Sequence, residues 1–172
     1  MILKQTKKLT LAAMFFAIGL ILPLFIAQIP TIGQMLLPMH VPVLLCGLIV
    51  GWEYGLAVGF FLPLVRSIFF GMPAMFPNAV SMAFELATYG LVIGWLYGHS
   101  RWKCVKSLYR SLVGAMLAGR IVWGVVRIAL LGIGSVPFGW QLFLAGAFFN
   151  AIPGIILQLV MIPALMIALN KA

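Results

Sequence analysis

Four charged residues stand inside long apolar runs, where each must find a partner, water or a ligand: Arg66, Glu85, Arg120 and Arg127. His40, Asn78, Trp123 and Asn150 accompany them in the same runs. A helical rise places Arg66 about 8 Å, and Glu85 and Arg127 about 10 Å, below the outer ends of their segments, so charge gathers at one depth. Asn150 falls roughly 14 Å down its own segment, His40 near the top of another, and Asn78 two turns above Glu85 on one face. One carboxylate cannot satisfy three guanidiniums. With one of them paired, a surplus of about two positive charges remains, which an anionic ligand would complete in a polar cavity open to the outside. Arg120 and Arg127 lie seven residues apart and share a helix face with Trp123 between them. A plainer reading stands beside this one: Glu85 only holds the bundle together by pairing with Arg120, the cation nearest mid-membrane. His40 likewise reads either as an interfacial hydrogen-bonding group or as a ligand contact.

Other chemistries find no support in the residues. The chain has no Asp, its second carboxylate is Glu53 between two apolar runs, and paired acid–base catalysis needs two acids together. It contains no G-x-x-x-x-G-K-[ST] phosphate loop, no H-E-x-x-H and no G-x-S-x-G. Cys46 in an apolar run and Cys104 in a basic loop give no metal-ligand spacing, so no metal and no cofactor are expected in this chain.

The elements that must position these groups are membrane helices. Of 172 residues, 65% are hydrophobic and 8% charged, with a mean hydropathy of +1.20, which excludes a water-soluble globule. Apolar stretches fall at Leu9–Ile29, Leu36–Trp52, Tyr54–Gly71, Asn78–Gly98, Ser111–Gly134 and Gln141–Leu169. They predict an all-α integral membrane protein with six transmembrane helices forming one domain over residues 1–172, since six spans of about 20 residues leave only short loops. The second and third stretches are separated only by Glu53, so a bent or partly re-entrant hairpin is the alternative there. Lys4, Lys7, Lys8, Arg101, Lys103, Lys106, Arg110 and Lys171 fall in segments of one side, and the three loops of the other side have no Lys or Arg. Both termini are therefore expected in the cytoplasm of a multi-pass cell-membrane protein. The same distribution accounts for most of the +9 net charge, and no nucleic-acid partner is expected.

The chain also repeats itself. Gly47-Leu-Ile-Val-Gly-Trp-Glu-Tyr-Gly55 matches Gly90-Leu-Val-Ile-Gly-Trp-Leu-Tyr-Gly98 at six of nine positions. Glycines four apart allow close helix contact, while Trp52, Tyr54, Trp95 and Tyr97 read as anchors at the inner interface. The outer loops Pro30–Met39, Phe70–Pro77 and Gly134–Trp140 are rich in Pro, Gly, Phe and Met. They read as apolar lids over the cavity or as segments dipping into the headgroups.

Taken together, the Lys-rich start, the run Lys8-Leu-Thr-Leu-Ala-Ala-Met-Phe-Phe-Ala17, the stretch Leu37-Pro-Met-His-Val-Pro-Val-Leu-Leu-Cys-Gly47 and Pro63-Leu-Val-Arg-Ser67 resemble the substrate-binding S components of energy-coupling factor (ECF) vitamin transporters. The resemblance covers essentially the whole chain. It implies a subunit that captures a vitamin from outside and topples in the membrane to release it inside. It also implies a membrane-embedded scaffold subunit contacting the small face of Ala13 and Ala17, and two ATPase subunits that use ATP on its behalf. The segments Leu37 to Gly47 and Met72 to Tyr89 look most like pantothenate-type S components. Pantothenate, a carboxylate with hydroxyl and amide groups, suits Arg127 or Arg66 at its acid and Glu85, Asn78 and Asn150 at its polar middle. Folate, a queuosine precursor and cobalamin remain alternatives, because Trp123, Tyr89, Phe76 and Trp140 could stack on a ring. A self-sufficient small transporter and an intramembrane enzyme are the rival classes. The first has only Glu85 for a titrating relay, and the second lacks a paired acid.

Overall fold

The computed structural model describes residues 2–26, 38–133 and 152–169. Among these, every regular element is helical: α1 Ile2–Ile26, α2 His40–Ile49, α3 Trp52–Phe70, α4 Val80–Gly98, α5 Val105–Ile133 and α6 Ile152–Ala168, with a π-helical turn Met75–Ala79 leading into α4. The helices α1, α3, α4 with its leading turn, and α5 are long and apolar enough to cross a membrane. Helices α2 and α6 are apolar but shorter.

The centre of the assembly is α4, which packs against α2, α3 and α5, while α6 lies against α2 and α5. Two apolar clusters meet on either side of α2. One joins Leu44, Tyr89, Ile93, Leu112 and Ile162, and the other joins Val43, Cys46, Leu62 and Leu86. Residues His40 through Gly47 are all buried and Leu48 and Ile49 half-buried, so most of α2 is enclosed. A helix apolar on every side belongs inside a bundle, and ten residues rise only about 15 Å, half the thickness of a bilayer core. Outermost is α1, which packs on α2 and α3. It runs parallel to α3: Leu9 and Tyr54 line one groove, Gly19 abuts Leu62, and Arg66 reaches Leu20.

The internal repeat has a packing cause. A Cβ on Gly90 would strike the backbone of Gly55, and one on Gly47 would meet the Gly90 carbonyl at 2.6 Å. The two copies therefore pack on each other, and only glycine lets α2, α3 and α4 approach so closely. Of the four aromatic residues expected as interface anchors, Trp52 and Trp95 are exposed, but Tyr97 turns into the core at 4% exposure and Tyr54 is half-buried. That expectation is corrected for the tyrosines: the helix–helix seam at the glycines draws their rings inward.

Several boundaries also differ from the hydropathy reading, and α1 for one begins at Ile2 rather than Leu9. The break between the second and third helices falls at Gly51, whose φ of 129° is open to glycine, and Glu53 belongs to the first turn of α3. Helix α5 begins at Val105, so Lys106 and Arg110 stand on its first turns rather than in a loop. Both are exposed, where charge does not oppose helix formation.

Candidate functional site

Helix α4 brings Glu85 to the middle of the bundle at 2% exposure. Its Oε1 lies 3.1 Å from Nη1 of Arg120 on α5, accepts a hydrogen bond from the Tyr89 hydroxyl at 3.1 Å, and stands 3.7 Å from Nε2 of His40 on α2. His40 and Tyr89 rest ring to ring, 5.2 Å between centroids. Three side chains from three helices thus meet at one carboxylate. An isolated charge at such a depth is too costly to keep, and Arg120 is the charge that compensates it. The set still has unused capacity: among the described residues, both ring nitrogens of His40 and the Nε and Nη2 of Arg120 are buried without a hydrogen-bond partner.

A second pair stands just before the start of α4. Arg127 on α5 donates from Nη1 to Oδ1 of Asn78 at 2.8 Å and lies over the Trp123 ring, 5.1 Å from its centroid. The Asn78 carbonyl is in turn held by the Ser81 hydroxyl at 2.9 Å, which fixes the π-helical turn that carries the asparagine. Because α4 and α5 run antiparallel, seven residues down from Asn78 to Glu85 match seven residues back from Arg127 to Arg120. The two pairs are rungs of one ladder, about 10 Å apart along the helices, so Glu85 and Arg127 do not share the one depth expected for them: Arg127 is level with Asn78.

Arg66 has partners of its own. Its Nη1 donates to the Leu20 carbonyl of α1 at 2.6 Å, and its guanidinium lies over the Phe70 ring at 5.4 Å. The sequence holds only two carboxylate side chains, Glu53 and Glu85, and the described ion pairs all run to Glu85. The hydrogen-bond partners described for Arg66 and Arg127 are therefore neutral.

His40, Glu85 and Arg120 are brought together, as are Asn78, Trp123 and Arg127. Asn150 and Trp140 lie outside the described residues, as do most of the loop Pro30–Met39 and all of Gly134–Trp140. The loop Phe70–Pro77 is described: Phe70, Met72, Met75 and Phe76 are exposed in it. Tyr89 was expected only as a stacking ring, and its hydroxyl bond to Glu85 is an addition. The signal available was its spacing, one helical turn from the carboxylate. Gln158 on α6, buried at 2%, was not foreseen at all.

Ala13 and Ala17 are exposed on α1, whereas the neighbouring Ala12 is buried. Ala13 lines a shallow apolar groove of about 310 Å³ between α1 and α3, together with Leu9, Phe16, Ala57 and Phe61.

The profile of one protein family, described as ECF transporter, substrate-specific component, matches residues 7–166. No curated protein and no solved structure matches the chain. A match over all but the two ends, on a chain of several apolar helices with a charged core, places it: this multi-pass protein of the cell membrane belongs to the substrate-specific components of ECF transporters, the subunits that bind a small-molecule substrate and work with a scaffold and ATPases.

Proposed function

We propose that the substrate is an anionic vitamin, pantothenate before others, held by the Arg127 rung with the Glu85 rung as its polar floor. The observation that carries this is Arg127 itself: a guanidinium in a membrane helix whose described polar partner is the neutral Asn78 side chain. A carboxylate is the ligand group that answers such a charge, by charge-assisted and commonly bidentate hydrogen bonds. Arg66, also without a carboxylate, supplies the second positive charge. The unpartnered nitrogens of His40 and Arg120 offer donors to hydroxyl and amide oxygens of the kind that pantothenate presents. A cationic vitamin such as thiamine would meet a like charge here. Trp123 and Asn150 complete the proposed set. No cofactor is proposed for this chain, and ATP would be used only by its partners. The exposed small face of Ala13 and Ala17 is proposed as the surface that the scaffold helices approach.

Equilibrium binding to the purified chain in detergent tests the reading, with pantothenate, thiamine, riboflavin, folate and pyridoxine compared under the same conditions. Saturable binding of pantothenate alone is expected. Arg127→Ala should weaken it by about 2 kcal/mol, roughly thirty-fold, the cost of removing one desolvated charge partner. Tight binding of a different vitamin discards pantothenate, and an unchanged Kd in the variant removes Arg127 from the site.

A further inference from the structure

Away from the charged core, the turn between α4 and α5 forms a groove of about 620 Å³. Trp95 of α4 and Trp102 of the turn flank it, and Lys106, Ser107, Arg110 and Ser111 of α5 line it. It is a built feature. The Ser107 hydroxyl donates to the Ser100 hydroxyl at 2.5 Å, Ser100 donates to the Trp102 carbonyl at 3.1 Å, and Ser111 donates to the Ser107 carbonyl at 3.0 Å. Lys106 and Arg110, one helical turn apart and exposed, enter none of the described ion pairs, both of which run to Glu85. Arg101 and Lys103 add two more charges in the same turn. Both tryptophans are exposed, at 51% and 74%, and their amphipathic rings suit the level of lipid headgroups.

From that basic turn an exposed apolar stripe climbs α5 at four-residue intervals: Val113, Leu117, Ile121 and Val125. From Arg110 to Val125 the helix rises about 22 Å, close to the depth of one bilayer leaflet and a half. A headgroup-sized cationic groove thus opens directly onto a lipid-facing apolar track. A free phosphate would use only the first, and a soluble acidic peptide would have no use for the second. We propose that this groove is a binding site for an anionic phospholipid of the inner leaflet, its phosphate between Lys106 and Arg110 and its acyl chain along the α5 stripe. The general excess of positive charge on this face orients the protein but selects no place on it. The groove, its serine scaffold and its apolar continuation do select one.

The test is native mass spectrometry of the intact chain released from bilayers containing equal amounts of phosphatidylglycerol and phosphatidylethanolamine. The wild type should retain phosphatidylglycerol in preference. Each cation near an anionic headgroup is worth about a five-fold factor, so Lys106→Gln/Arg110→Gln should reduce the preference by roughly thirty-fold. The charge-matched control Lys4→Gln/Lys7→Gln should keep it, and Lys106→Arg/Arg110→Lys should restore it. Equal loss in both charge-removal pairs means diffuse attraction and overturns the site, as does a preference untouched by Lys106→Gln/Arg110→Gln. Release of the lipid by millimolar glycerol phosphate overturns the lipid in favour of a soluble phosphate compound. None of these readings depends on which vitamin the chain binds.

Discussion

Replacing Glu85 by Gln removes one charge from a deeply buried ion pair, and its cost can be worked out in advance. Glu85 and Arg120 lie 3.1 Å apart with side-chain exposures of 2% and 7%. Removing one partner of a pair so buried leaves the other uncompensated, at about 3–5 kcal/mol. Gln retains an oxygen to accept the Tyr89 hydroxyl, a bond worth about 1 kcal/mol, so the low end of that range, about 3 kcal/mol, is expected. Arg120→Gln should cost a similar amount. The double variant should then cost much less than the sum, because neither charge is stranded, giving a coupling of about 2 kcal/mol or more. Were the contact merely an interhelical hydrogen bond, the coupling would be about 0.6 kcal/mol, the usual value in membrane bundles. Reversible unfolding of the four proteins in mixed micelles measures this directly. Additivity within about 0.5 kcal/mol would refute the argument that Glu85 and Arg120 compensate each other.

Two further outcomes can be checked alongside. Gly90→Ala should destabilise the bundle by about 1–3 kcal/mol, since its methyl group would collide with the backbone of Gly55, whereas Gly98→Ala, with open space around it, should change stability by less than about 0.5 kcal/mol; thermal melting followed by circular dichroism compares them. Ala13→Trp, on an exposed face of α1, should spare substrate binding and block both assembly with the scaffold and uptake, as read by co-purification and transport in vesicles.

Hydropathy and charge carried the sequence reading a long way, because the bilayer penalises every unpaired polar group and so confines charge to where it is answered. The pairing of Glu85 with Arg120 was legible because the two are the deepest opposite charges on successive helices. The partner of Arg66 was not. It is the main-chain carbonyl of Leu20, and a carbonyl has no residue type by which a sequence could announce it. Helix α2 was harder for a different reason: an apolar run measures affinity for any apolar surroundings, so an enclosed ten-residue helix and a lipid-facing span read alike. The start of α5 was misplaced because hydropathy reports burial in lipid and is silent on helix, which Lys106 and Arg110 favour. The repeat, by contrast, was read correctly in kind. Glycines four apart required a close neighbour, although that the neighbour is the other copy of the repeat needed the packing of α2, α3 and α4.

The two rungs between α4 and α5 have the same geometry and opposite electrostatics, and this difference divides their labour. In the inner rung a carboxylate meets a guanidinium, the charges cancel, and Tyr89 and His40 close around them, so its first effect is on the integrity of the bundle. In the outer rung an amide meets a guanidinium, and the charge is left over. Asn78 can orient Arg127 without neutralising it, and the Trp123 face supports the cation while leaving it ionised. Truncation should therefore separate the roles. Arg120→Ala should lower stability by about 3 kcal/mol or more, and substrate affinity should fall with it, both as the fold loosens and as a donor of the cavity floor is lost. Arg127→Ala should leave stability within about 1 kcal/mol, since its amide partner is half-buried and can turn to other donors, yet lose most of the affinity for a carboxylate. A variant of Arg127 that unfolds the protein while retaining affinity in its folded fraction would reverse the assignment of the rungs.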